Sequence, residues 1–117
     1  MLYALLPKSY QVLHKQALPL SRWNPGSEEV AFNRVAALEA LQTLKGSRVA
    51  VVGSEVVHVV DGRLRYRAES WSLGSDRGEP TEAYVDRSHE LVRDFVENFP
   101  ECETEAYFVF ELVYLPG

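Results

Sequence analysis

The sequence predicts an α+β fold with a mainly antiparallel sheet of about four strands, and three observations support that prediction. Two strand-like runs, EVVHVV and RLRYRA, flank Asp61-Gly62, a dipeptide typical of a two-residue hairpin turn. Two long segments repeat apolar residues at helical spacing. The run AYFVFELVYL is almost uniformly apolar, as in a strand covered on both faces. We expect one domain over residues 1–117, with 46% hydrophobic residues available for its core.

The predicted helices are one short and two long ones packed on the sheet. A short helix at residues 7–18 opens at Pro7, and PLSRWNPGS then forms a loop because prolines and glycine interrupt it. Ser27 supplies an N-cap for a long helix over residues 28–45, with Gly46 as its C-terminal glycine. The second long helix starts at Thr81 or Asp86 and stops before the next proline.

A two-residue turn at Asp61-Gly62 fixes the register of the hairpin and separates its two faces. The basic face contains His58, Arg63, Arg65 and Arg67. The other face is apolar and contains Val57, Val59, Leu64 and Tyr66. Because a one-residue slip would bury the arginines, we expect the apolar face to pack on the two long helices. The same register places Glu55 opposite Ala68 and close to Glu69.

The basic face has two interpretations. In the first, its side chains are solvated and paired with nearby glutamates, and each pair stabilises the fold by about 0–1 kcal/mol. In the second, they form a contact face for a partner. Planar guanidinium groups bind carboxylates and phosphates well. The residues of this alternative binding face are His58, Arg63, Arg65 and Arg67.

No motif in the chain predicts catalysis, a metal or a cofactor. Gly53-Ser54 lacks the spacing of a phosphate loop or a nucleophile elbow. The glycine indicates a bend or bulge between two predicted strands, SRVAVVG and EVVHVV. The three histidines lie on different predicted elements without metal-ligand spacing. The one cysteine, Cys102, leaves the chain without an internal disulfide. We therefore predict a protein that is not an enzyme.

Charge and hydropathy narrow the range of partners. The chain has 17 acidic and 12 basic residues, a net charge of −5, which argues against nucleic-acid binding and is compatible with a basic protein partner. No stretch approaches the roughly 20 apolar residues that a membrane-spanning helix needs, and the first ten residues do not resemble a signal peptide. We expect a cytoplasmic protein without a membrane partner.

Several segments together resemble the immunity protein 40 family of bacterial polymorphic toxin systems. The resemblance rests on VAFNRVAALEALQTLKGS, VAVVGSEV, ESW and YVDRSHELVRDFVENFP, and covers about residues 30–114. Residues 53–56 occupy the family's Gly-Gly-Asp-Val turn, and residues 69–71 its Asp-Asn-Trp element. Ser54 replaces a glycine, while Glu55 and Glu69 each keep a carboxylate in place of aspartate. The resemblance implies a protein that binds and neutralises a cognate toxin domain without catalysis.

Loops carry binding functions more often than the strands that hold them, so we expect the toxin to contact three segments. These are the LSRWNPGS loop, the end of the hairpin far from its turn, and the SDRGEPTE loop. The predicted toxin-binding residues are Trp23, Glu55, Glu69, Trp71, Asp76, Glu79 and Glu82. Two other classes stay open: a small ligand-binding protein or enzyme that uses the basic face, and a secretion chaperone or adaptor. The sequence leaves the oligomeric state open.

Overall fold

The computed structural model describes residues 2–74 and 78–116 and confirms an α+β architecture with an antiparallel sheet. The helices are α1 (Leu2–Leu5), α2 (Lys8–Gln16), α3 (Arg34–Thr43) and α4 (Thr81–Asn98). The strands are β1 (Leu18–Pro19), β2 (Val30–Asn33), β3 (Val49–Val60), β4 (Arg63–Ser72) and β5 (Tyr107–Tyr114). The described residues therefore form five strands where four were predicted. The two strands predicted on either side of Gly53 are one, and β1 and β2 are additional.

The strand order across the sheet is β1-β2-β5-β3-β4, and every neighbouring pair is antiparallel. The last strand in the chain, β5, therefore lies in the middle, between β2 and β3. The two edges differ: β1 has two residues and includes Pro19, whereas β4 has ten residues.

The hairpin between β3 and β4 turns where the sequence predicts. Asp61 and Gly62 have φ angles of 52° and 75°, the positive values that a type I′ turn requires at both central positions. Val60 pairs with Arg63 directly beside the turn. The prediction of a two-residue hairpin is confirmed.

Further from the turn, the predicted register is wrong. Val57 pairs with Tyr66, but Glu55 pairs with Ser70, so β4 has extra residues in a bulge between these two pairs. The predicted pairing of Glu55 with Ala68 therefore does not occur. A bulge of this kind bends the strand and changes the direction of the following side chains.

One face of the sheet, called the helix face below, carries the main core. Its buried strand residues are Phe32, Val49, Val51, Val56, Phe108 and Phe110. The helices contribute Tyr10, Ala37, Ala40, Leu41, Val92 and Val96, and the C-cap of α3 contributes Leu44. Three aromatic rings pack edge-to-face, with Phe108 5.7 Å from Phe99 and 6.2 Å from Phe95. Full burial of one such side chain stabilises the fold by about 1.5–3 kcal/mol.

The opposite face, called the open face below, carries a second and smaller cluster. It contains Leu20, Ala31, Val57 and Val109, with Leu64 and Trp23 packed against them. The prediction that the apolar face of the hairpin packs on the long helices is therefore wrong. Successive side chains alternate between faces, and Val56 is the one that enters the main core. The turn Leu20–Arg22 and Trp23, rather than the long helices, cover part of the apolar face of the hairpin.

Helix α3 begins later than predicted because residues 30–33 form β2. The side chain of Asn33 accepts a hydrogen bond from the N–H of Ala36 at 2.9 Å and is the N-cap. Ser27, the predicted N-cap, instead accepts from the N–H of Glu29. Pairing of Phe32 with Phe108 of β5 holds this segment in the sheet.

Helix α4 is attached to β3 by two polar side chains. The Oγ of Ser88 accepts a hydrogen bond from the N–H of Val51 at 3.1 Å, next to an irregularity in the β3–β5 register between Val51 and Gly53. The Nε2–H of His89 donates to the carbonyl of Val49 at 2.7 Å. The predicted bend or bulge at the glycine is therefore an irregularity within a continuous strand.

Candidate functional site

An acidic groove lies on the part of the open face that the second cluster leaves uncovered. Its volume is about 330 Å³. The residues that line it are Glu29, Gly53, Ser54, Glu55, Ser70, Trp71, Ser72, Val109 and Glu111. Glu55 comes from β3, Glu111 from β5, and Glu29 from the segment just before β2. Strand alternation places Glu55 and Glu111 on the same face, because Glu55 pairs with Val109 and Gly53 pairs with Glu111. Glu29 reaches the same groove from the segment before β2.

Gly53 forms part of the floor of the groove because it has no side chain. A Cβ atom at this position would lie 2.9 Å from Oε1 of Glu111. Real Cβ atoms do not approach that closely, so any larger residue would displace the carboxylate. The glycine thus allows the side chain of Glu111 to lie across β3.

The three carboxylates have no counter-charge from the described part of the chain. Neither Glu29, Glu55 nor Glu111 takes part in an ion pair among those residues. Burial, followed by the charges of Glu55 and Glu29, raises the pKa of the nearby Tyr66 hydroxyl. The groove is therefore a region of uncompensated negative charge, and it suits a basic side chain of a partner.

Two of the predicted toxin-binding residues, Glu55 and Trp71, lie in this groove. Trp71 lines the groove with its backbone, and its carbonyl oxygen lies 3.6 Å from the Cβ position at Gly53. Its half-buried indole packs against the main core on the helix face. Glu69 binds Arg67 instead, with its Oε2 2.6 Å from the guanidinium, which lowers the pKa of Glu69. Arg67 in turn lies over the ring of Phe99, at 5.6 Å from its centroid.

The other predicted residues lie elsewhere. Trp23 is at the turn end of the hairpin, where its Nε1–H donates to the carbonyl of Gly62 at 2.8 Å. Glu79 pairs with Arg87 at 2.7 Å, and Glu82 is exposed in the first turn of α4. Asp76 lies outside the described residues. The structure thus brings Glu55 and Trp71 together and places Trp23 at the opposite end of the hairpin.

The four residues of the alternative binding face differ in burial and in their ion pairs. His58 is 7% exposed, and its Nδ1–H donates to the carbonyl of Glu105 at 3.0 Å, so it is a buried structural residue. Arg67 is held by Glu69. Arg63 and Arg65 are exposed and have no ion pair within the described residues.

Sequence reasoning missed Glu29 and Glu111 as members of the groove. The sequence could have indicated Glu111, because it is the one charged residue within AYFVFELVYL. A charge in an otherwise apolar central strand indicates a position where the sheet is open to solvent or to a partner. Glu29 had no such signal, because its place depends on the strand β2 that the sequence did not predict.

Neither a cluster of potential metal ligands nor a membrane-spanning helix is found among the described residues. No group of three or more His, Cys, Asp or Glu side chains among residues 2–74 and 78–116 is placed to hold a metal ion. In the same ranges, no helix combines the length and the apolar character needed to cross a membrane.

Comparison with known proteins identifies a family. The family model described as Immunity protein 40 matches residues 19–114. No curated protein and no solved structure matches the chain significantly. The matched range includes β2 to β5, both long helices and the whole acidic groove.

Proposed function

Because the chain belongs to the immunity protein 40 family, we propose that it binds a cognate bacterial toxin domain in the cytoplasm and neutralises it stoichiometrically, without chemical turnover. The family match over most of the chain is the observation that carries this proposal. The prediction that residues 1–117 form one domain stays a prediction.

We place the centre of the toxin-binding surface at the acidic groove. Its exposed carboxylates have no partner within the described residues, and complementary charge accelerates association and excludes wrong partners. Trp71 stays a predicted toxin-binding residue; it borders the groove with its backbone, while its indole packs on the helix face. Among the other predicted residues, Glu69 and Glu79 contribute less because each already has an arginine partner. Trp23, Asp76 and Glu82 stay predictions for the periphery.

The first experiment tests inhibition without turnover. The protein is co-expressed with the toxin domain encoded by the adjacent open reading frame, and growth is scored. The purified pair should form a complex in which activity falls in proportion to the amount of protein added, and the released toxin should be chemically unchanged. Inactivation of excess toxin by substoichiometric protein would contradict the proposal.

The second experiment tests the groove. Glu55→Lys together with Glu111→Lys should slow association by about tenfold or more at low salt, and by less at physiological salt, where charges are screened beyond about 8 Å. Glu39→Lys together with Glu90→Lys is the matched control, because both residues are exposed on helices away from the open face. Equal association rates for the two double variants would place the contact elsewhere.

A further inference from the structure

The outer edge of β4 is the long unpaired edge of the sheet. Within the described residues, β4 pairs with β3 alone, over a strand of ten residues. The opposite edge, β1, is two residues long and includes a proline, which cannot donate a backbone hydrogen bond. An open edge offers N–H and C=O groups that another extended chain can use.

The turn geometry identifies which backbone groups point outward. In a two-residue hairpin, the pair that flanks the turn, Val60 and Arg63, exchanges backbone hydrogen bonds. Antiparallel pairs alternate between hydrogen-bonded and non-hydrogen-bonded. Arg65 opposite His58 therefore bonds inward to β3, whereas Leu64 and Tyr66 direct their N–H and C=O groups away from it.

The side chains along this edge have a regular pattern. Arg63 and Arg65 lie on the helix-face side, are exposed, and have no ion pair within the described residues. Leu64 and Tyr66 lie on the open-face side, and Tyr66 is 55% exposed. The bulge that follows at residues 67–69 ends the regular part of the edge.

We propose that residues 63–66 of β4 accept an extended segment of the toxin as an additional strand of the sheet. This segment alternates acidic side chains, which lie beside Arg63 and Arg65, with apolar side chains, which lie beside Leu64 and Tyr66. The inference rests on the proposed function and adds the chemical character of the docking segment. It also accounts for two arginines that have no ion pair within the described residues.

A second copy of the protein fits this edge poorly. Antiparallel pairing of β4 with β4 keeps the two helix faces on the same side, so the arginines of one copy would lie opposite those of the other. Like charges directly opposite each other in a sheet are destabilising. The same residues that attract an acidic segment therefore disfavour self-association.

Hydrogen exchange of the wild-type protein, free and with the toxin domain from the adjacent open reading frame, tests the inference without any substitution. We expect the amides of Leu64 and Tyr66 to exchange rapidly in the free protein and to become protected in the complex. The amides of Arg63 and Arg65, which bond to β3, should be protected in both states. Protection of Leu64 and Tyr66 in the free protein at high concentration would instead indicate a second copy at this edge and overturn the inference.

Binding of the same toxin domain to two double variants provides the second test. Arg63→Glu with Arg65→Glu should weaken affinity by about tenfold or more. Lys45→Glu with Arg48→Glu, a matched charge change near the start of β3, should stay within about twofold of wild type. If the wild type binds and neutralises the toxin while neither the edge variant nor amide exchange responds, the inference is wrong and the proposed function stands. If the wild type does not bind the toxin, the proposed function itself fails.

Discussion

Replacement of Ser88 by alanine tests the attachment of α4 to the sheet. Ser88 is fully buried, accepts a hydrogen bond from the N–H of Val51 at 3.1 Å, and donates one to the carbonyl of Val85 at 2.7 Å. Val51 lies next to the irregularity where the ladder between β3 and β5 shifts. Ser88→Ala leaves this N–H buried without its acceptor.

The expected loss of stability follows from three contributions. A buried backbone donor without a partner costs about 1–3 kcal/mol. The carbonyl of Val85 costs little, because it lies within α4 and keeps its helical environment. Alanine has a higher helix propensity than serine, which returns about 0.5 kcal/mol. We expect a net loss of about 0.5–2.5 kcal/mol, equivalent to a decrease of several degrees in Tm.

Urea unfolding at pH 7 measures this loss, and the exchange rate of the Val51 amide locates it. Ser9→Ala is the matched control, because Ser9 is exposed on α2 and the same substitution there should be neutral or slightly stabilising. If Ser88→Ala were as stable as Ser9→Ala and the Val51 amide exchanged at its wild-type rate, the proposed role of the serine would be refuted.

Three further substitutions test other parts of the fold. Burial raises the pKa of Tyr10, so above about pH 10 the unfolded chain loses the Tyr10 proton while the folded state keeps it, and the free energy of unfolding falls. Tyr10→Phe should reduce this alkaline loss, measured by urea unfolding at pH 7 and pH 11. An unchanged loss would show that Tyr10 does not cause it. Trp23→Phe removes the hydrogen bond to the carbonyl of Gly62 and should lower the free energy of unfolding by about 0.5–1.5 kcal/mol, measured by thermal unfolding. An unchanged stability would show that this hydrogen bond does not stabilise the fold. Leu64→Ala should lower the free energy of unfolding by about 1–3 kcal/mol and Arg65→Ala by less than about 0.5 kcal/mol; equal effects would argue against the second cluster.

The parts of the fold that follow local rules were predicted correctly. The Asp61-Gly62 turn depends on two residues that tolerate positive φ, so neighbouring sequence determines it. The second long helix starts at Thr81, one of its two predicted starts, and ends before Pro100, which cannot continue it. The apolar character of β5 correctly predicted a central strand with cover on both faces.

The parts that depend on distant contacts were not predicted. Residues 27–29 look like a helix start, but pairing of the next four residues with β5 places them in a strand. The direction of the hairpin faces depends on Leu20, which lies far away in the chain and covers Val57. The bulge in β4 has no strong local signal, and it moves Glu55 from Ala68 to Ser70. The groove was predicted only in part for the same reason, since the position of Glu29 depends on the unpredicted strand that follows it.

The central position of β5 also determines when the sheet can assemble during synthesis. Its register joins Phe108 to Phe32 on one side and to Val56 on the other, so β5 connects β2 with β3 in the sheet. The β3–β4 hairpin closes over a short loop and can form early, but long-range pairing is slow and must wait for the last strand. On a translating ribosome, we therefore expect β2 and the helix face to stay sensitive to protease until residue 114 has emerged. Under the proposed function, partly synthesised chains would neutralise no toxin, so neutralisation would require chains that are complete before the toxin enters the cell.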